Sequence, residues 1–205
     1  MKEMYNNYKS DLSKKNNLVI LIIVIFIIGI IFGSIYITIL SSSQKENINN
    51  YTSTFFSNIS KINFNNKIDI FKNALYSNLI YTIIMWLLGL SIIGIPIIFI
   101  MVFFKSFVLS FSISSIFAKY GLKGILKALI YLLPSSLIFC IFTIFLASYS
   151  ILISNKLLKS AFKKETINFK TFMGRYSFIL VIGILISILC ALYEGFIEPY
   201  IYSLV

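Results

Sequence analysis

The run from Ala74 to Ala118, ALYSNLIYTIIMWLLGLSIIGIPIIFIMVFFKSFVLSFSISSIFA, constrains this chain more than any other stretch. It is 45 residues long and carries one charge, Lys105. About 20 apolar residues suffice for a helix to cross a ~30 Å hydrocarbon core, so the run is twice too long for one crossing. Its middle holds Gly89, Gly94 and Pro96, residues that can turn a backbone. The sequence therefore predicts two membrane helices joined by a turn near the membrane surface.

Composition agrees. The 205 residues are 59% hydrophobic and 12% charged, with a mean hydropathy of +0.92. A soluble domain this apolar would expose a large greasy surface, which excludes that class. The net charge of +11 would suit nucleic acid, but the lysines cluster beside apolar spans, where anionic lipid headgroups are their natural partners. Membrane lipids are thus the expected surroundings, and no nucleic-acid partner is expected. The absence of histidine removes Ser-His and Cys-His nucleophiles and His-based metal sites. Cys140 and Cys190 lie in apolar segments and read as small hydrophobes. No glycine-rich phosphate loop or G-x-S-x-G elbow occurs, so neither catalysis nor a cofactor is expected.

In chain order, the sequence predicts an all-α polytopic membrane bundle forming one integral domain over residues 1–205. About five spans are expected, at 18–40, 75–93, 95–117, 126–153 and 178–198. The first is too long for the apolar core of a cleaved signal peptide. A polar, asparagine-rich outer loop is expected at 41–73 and a short basic turn at Lys119–Gly124. Pro134 is expected to kink the fourth span. The connector 155–176 holds Lys156, Lys159, Lys163, Lys164, Lys170 and Arg175 against Glu165 alone. Short segments dense in Lys and Arg resist translocation, so this connector is expected in the cytoplasm, with the N-terminus inside and the C-terminus outside.

Small residues recur at helical spacing. Gly29 and Gly33 form a G-x-x-x-G pair in the first span. Ser106, Ser110, Ser114 and Ala118 are each four apart in the third; so are Gly183, Ser187, Ala191 and Gly195 in the fifth. Such stripes let backbones approach where lipid supplies no hydrophobic drive, and the third and fifth spans are expected to pack tightly, on each other in the simplest arrangement. Three ionisable residues, Lys105, Glu194 and Glu198, lie in or at the spans, where charge is costly and usually functional or paired. A Lys105–Glu194 contact is the expected pairing; solvation of each group in an outer vestibule is the other arrangement the sequence allows.

The order of these features resembles the stage II sporulation protein M family. The likeness rests on Gly29 and Gly33, on Phe71-Lys-Asn73, Asn78, Gly89 and Gly94-Ile-Pro96, on Leu132-Leu-Pro134, and on Glu194-Gly-Phe-Ile-Glu-Pro199. Lys105-Ser-Phe and Ser135-Ser136 depart from the pattern. The resemblance implies a non-catalytic anchor in the sporulation septum and the engulfing mother-cell membrane of endospore formers. It would act there with the stage II sporulation proteins D and P, which cut peptidoglycan during septal thinning and engulfment. The alternative is the membrane subunit of a small ATP-driven transporter, with 155–176 meeting the ATPase.

Overall fold

Backbone groups in hydrocarbon have no water to bond, so an apolar chain must satisfy them within helices. The computed structural model describes residues 2–59, 64–131, 133–163 and 169–203, and among these no strand occurs. Six helices carry the fold: α1 (Lys2–Ile39), α2 (Ser42–Ile59), α3 (Phe64–Gly89), α4 (Gly94–Tyr131), α5 (Leu133–Lys163) and α6 (Phe169–Leu192). A five-residue π-helix, Tyr193–Ile197, and a short α7 (Glu198–Ser203) continue α6.

Among the described residues, four helical segments are long and apolar enough to cross a membrane: Asn16–Ile39, Gly94–Gly124, Pro134–Ser160 and Met173–Ile201. The span expected at 75–93 is not among them. It falls in α3, where Asn73, Ser77, Asn78 and Thr82 dilute the apolar run. Several expectations are revised. The expected outer loop at 41–73 is largely helical, because α2 fills 42–59 and α3 starts at Phe64; 60–63 lie outside the described residues. The helix does not end at 117 either. It continues through a break at Gly121, whose φ of 61° and ψ of −145° are open to glycine alone at little cost. Pro134 opens α5 instead of kinking it, because a first-turn proline lacks only an N–H that would have had no helical partner. The basic connector is mostly helix, α5 reaching Lys163 and α6 starting at Phe169; its centre, 164–168, lies outside the described residues.

Helix directions follow from the contacts. α1 and α4 run parallel: Gly29 meets Phe103 and Ser106, Gly33 meets Phe107, and Tyr36 packs its ring on Phe107 and Phe111. α3 runs back against α4, turning at 90–93 through Ser91 N–H to Leu88 O and Gly94 N–H to Ser91 O. α6 is antiparallel to both α3 and α5: Gly195 touches Phe71 while Trp86 meets Tyr176, and Gly183 touches Phe142 while Ser150 meets Tyr176. The core lies between α1, α3, α4, α5 and α6, around Ile22, Met85, Ile98, Val102, Leu146 and Tyr176.

The small-residue stripes are used, though not on each other. Ser106 and Ser110 face α1, and Ser110 Oγ donates to Ile30 O at 2.7 Å. Gly183 and Ser187 face α3, where Ser187 Oγ and Thr82 Oγ1 lie 3.3 Å apart. Gly29 and Gly33 give α4 a bare backbone to pack on, with Phe103 O and Phe107 O against them.

Candidate functional site

The ionisable residues gather towards the end of the bundle where α5 begins and α6 finishes. The local cause is the sequence Glu194-Gly195-Phe196-Ile197-Glu198-Pro199. A proline ring inside a helix clashes with the carbonyl four residues back. Widening the preceding turn relieves that clash, and the Glu198 N–H accordingly reaches Tyr193 O, five residues back. Such π turns occur mostly as single insertions and often at functional positions. Gly195, within the turn, lies flat against α3; a Cβ there would sit 2.7 Å from Phe71 Cβ. This brings Glu194 and Glu198 onto the edge of the bundle core together.

Glu198 is 6% exposed and accepts a hydrogen bond of 3.3 Å from Ser135 Oγ. Ser135 also neighbours Glu194, and the two carboxylates feel each other's charge. Cys190 Sγ donates to Ser135 O at 3.6 Å, which ties α6 to the first turn of α5. Lys105 approaches from α4. Its position, 11 residues above Gly94, puts its Cα about 16 Å up the helix, near the middle of a bilayer. The ammonium does not form an ion pair with Glu194 among the described residues. It lies over the faces of Phe139, 4.4 Å from the centroid, and Tyr81, 5.3 Å away. The expected contact is therefore replaced by cation–π interactions with Phe139 and Tyr81. Aromatic faces on α3 and α5 hold the long lysine stem in the bundle, and Glu194 is left half-buried beyond it.

The remaining predicted residues lie elsewhere. Gly29 and Gly33 form the α1–α4 seam, and Gly183 lets α6 approach Thr82 and Phe142. Gly94 and Pro96 open α4 at the opposite end of the bundle. Pro134 sits beside Ser135 and so borders the charged cluster. Sequence reasoning missed Tyr81 and Phe139 as partners of Lys105. Part of the signal was present, since Ser135, Phe139 and Thr143 are four apart and share one face of α5. It also missed a lock at the far end: Trp86 and Tyr176 stack at 5.1 Å, Tyr176 Oη donates to Trp86 O at 2.7 Å, and Trp86 Nε1 donates to Tyr176 O at 3.1 Å.

The family model described as "Stage II sporulation protein M" matches residues 22–200. The chain belongs to that family. It is a multi-pass, sporulation-related membrane protein, and the match takes in both the α1–α4 seam and the Lys105–Glu194–Glu198 cluster. No curated protein and no solved structure matches the chain.

Proposed function

We propose that this member of the family is a non-catalytic membrane anchor and scaffold for a peptidoglycan-degrading complex acting in septal thinning and engulfment. The observation that carries this reading is the family match across 22–200. On this reading the stage II sporulation proteins D and P are its partners, and it resides in the sporulation septum and the engulfing mother-cell membrane. The N-terminus lies inside and the C-terminus outside, so that α2 and the charged cluster belong to the outer half, where wall-cutting partners work. α3 is the fifth crossing, because parallel α1 and α4 cannot both span unless the chain returns between them.

The fold supports such a role through rigidity. Its helices are joined by backbone-to-backbone approaches at Gly29, Gly33 and Gly195, by a hydrogen bond from Tyr81 on α3 to Met101 O on α4, and by one from Ser154 on α5 to Ser91 O in the 90–93 turn. Deletion in an endospore former should arrest septal thinning, and a fluorescent fusion should concentrate at the septum and retain both partners on purification. Normal engulfment in the deletion strain would refute the scaffold reading.

A further inference from the structure

Where α1 ends, three helices leave a gap between them. Ile37 and Thr38 from the last turn of α1, Lys45 and Asn49 from one face of α2, and Ala118 from α4 line a cavity of about 350 Å³. That volume is within the ~300–1,000 Å³ of ordinary ligand sites. Two cations are fixed at it. Lys45 lines the cavity, and its Nζ donates to Thr38 O at 3.1 Å, a carbonyl at the helix end where intrahelical partners run out. Lys119 follows Ala118 on α4, and its Nζ donates to the backbone O of Asn49, which belongs to the α2 wall. An ammonium has three N–H donors, so each lysine is anchored by one and keeps the others for a ligand. Among the described residues no carboxylate pairs with either lysine, and Glu46, the acid next to Lys45 in the chain, is exposed.

The depth of the cavity decides what it meets. Ile39 is the last residue of the apolar segment Asn16–Ile39. Ala118 is 24 residues above Gly94, about 36 Å along α4, just beyond a ~30 Å hydrocarbon core. Both helices therefore set the cavity at the level of lipid headgroups. Beside its walls the surface turns apolar, with Ile35 and Ile39 on α1 and Phe117 on α4 all exposed. We propose that this cavity binds the phosphate of an anionic phospholipid, whose acyl chains lie along the α1–α4 surface next to it. A phosphodiester accepts from both ammonium groups at once, and basic pockets between membrane helices are suited to such headgroups. A zwitterionic headgroup would bring a cation of its own towards Lys45 and Lys119. Free phosphate offers the same oxygens but gains nothing from Ile35, Ile39 and Phe117, which is why the lipid is the source the geometry favours. The site depends neither on the scaffold reading nor on which face of the membrane this end of the bundle occupies.

The test is native mass spectrometry of the full chain in detergent, titrated with phosphatidylglycerol, with phosphatidylcholine of the same acyl chains, or with inorganic phosphate. The first phosphatidylglycerol should bind at least about tenfold more tightly than phosphatidylcholine, a preference worth a few-fold per lysine near an anionic headgroup. Lys45→Gln/Lys119→Gln should abolish that preference. Lys156→Gln/Lys159→Gln removes the same charge from two exposed lysines near the far end of α5 and should change it less than twofold. Ala118→Leu keeps both lysines, fills part of the cavity and should weaken phosphatidylglycerol binding at least about fivefold. Equal loss in the two lysine doubles, or no preference in the parent chain, would overturn the site. Full binding by Ala118→Leu would show that charge acts without the cavity and would overturn it as well. Inorganic phosphate binding that needs Lys45 and Lys119, without a preference between the two lipids, would overturn the lipid as the source. If the Lys45→Gln/Lys119→Gln chain does not fold, as read from Trp86 fluorescence, Lys45→Gln alone replaces it with the same expected and refuting results.

Discussion

A single methyl group placed on the α1–α4 seam tests whether backbone contact holds these helices together. The Cβ of Gly33→Ala would fall on the Phe107 carbonyl oxygen and within 3.1 Å of Phe107 Cα. Both are backbone atoms and cannot rotate away, so α1 has to lift off α4 by roughly 1 Å, the distance that restores ordinary C···O contact. A few tens of atom pairs along the seam would each forfeit a quarter to a half of ~0.1–0.2 kcal/mol, on the order of 1–3 kcal/mol in all. That matches the usual cost of overpacking, about 1–3 kcal/mol. Alanine returns about 0.8–1 kcal/mol through helix propensity, leaving a net loss of up to roughly 2 kcal/mol. Gly174→Ala is the control: it lies in α6 with nothing within 4 Å of the added Cβ, so it keeps the propensity gain of about 0.8–1 kcal/mol and loses no contact. Thermal unfolding in detergent can be followed through Trp86, the only tryptophan. Gly33→Ala should lower the midpoint and Gly174→Ala should hold or raise it. Equal shifts of the same sign would refute close backbone packing as what joins α1 to α4.

Three further outcomes follow from particular contacts. Tyr176→Phe removes the hydroxyl shared by Trp86 O and Ser150 and should cost about 1–3 kcal/mol through the buried groups left unpaired, seen as a lower midpoint; an unchanged one would show that the lock is slack. Lys105→Met and Glu194→Gln should be non-additive by about 0.5–3 kcal/mol in a double-mutant cycle on the same assay, since each charge bears on the other without contact; strict additivity would show the two charges to be independent. Pro199→Ala should let the π turn relax to an ordinary ladder and slow amide exchange across 195–199. Unchanged exchange there would show that Phe71, packed on Gly195, imposes the wide turn instead.

How far the fold was legible depended on what lipid demands. Long apolar runs have one solution in a bilayer, so α1, α4, α5 and α6 could be read from hydropathy alone, and the turn near Gly89–Gly94 from its glycines and proline. The boundaries were less legible, because a helix can continue past its apolar segment: α1 begins at Lys2, and α5 extends nine residues past Ser154 to Lys163. The small-residue stripes showed which faces would be in contact but not with what, since a stripe specifies a distance and no partner. The charged cluster was half legible. Lys105, Glu194 and Glu198 stood out by cost, but the partner that Lys105 found was a pair of aromatic faces, and the chain is 17% aromatic, so nothing marked Phe139 or Tyr81 beforehand.

α3 shows why hydropathy understates this bundle. Its exposed apolar residues, Ile80, Ile83, Ile84 and Leu87, recur at the spacing of one helical face. Asn78 and Thr82, 7% and 0% exposed, lie away from that face, and Thr82 meets Ser187. The helix is amphipathic in the inverse sense, greasy towards lipid and polar towards protein. A span enclosed by α4, α5 and α6 needs an apolar coat on only one side. The polar remainder is free to bind its neighbours, where interhelical hydrogen bonds contribute about 0.6 kcal/mol each. On the five-span reading proposed above, parallel α1 and α4 oblige the chain to cross back between them, and α3, at about 39 Å for 26 residues, is long enough to do so. The same inversion places Tyr81 inward, beneath Lys105. The helix that departs most from a simple greasy rod is therefore the one that supplies the inner wall of the charged site.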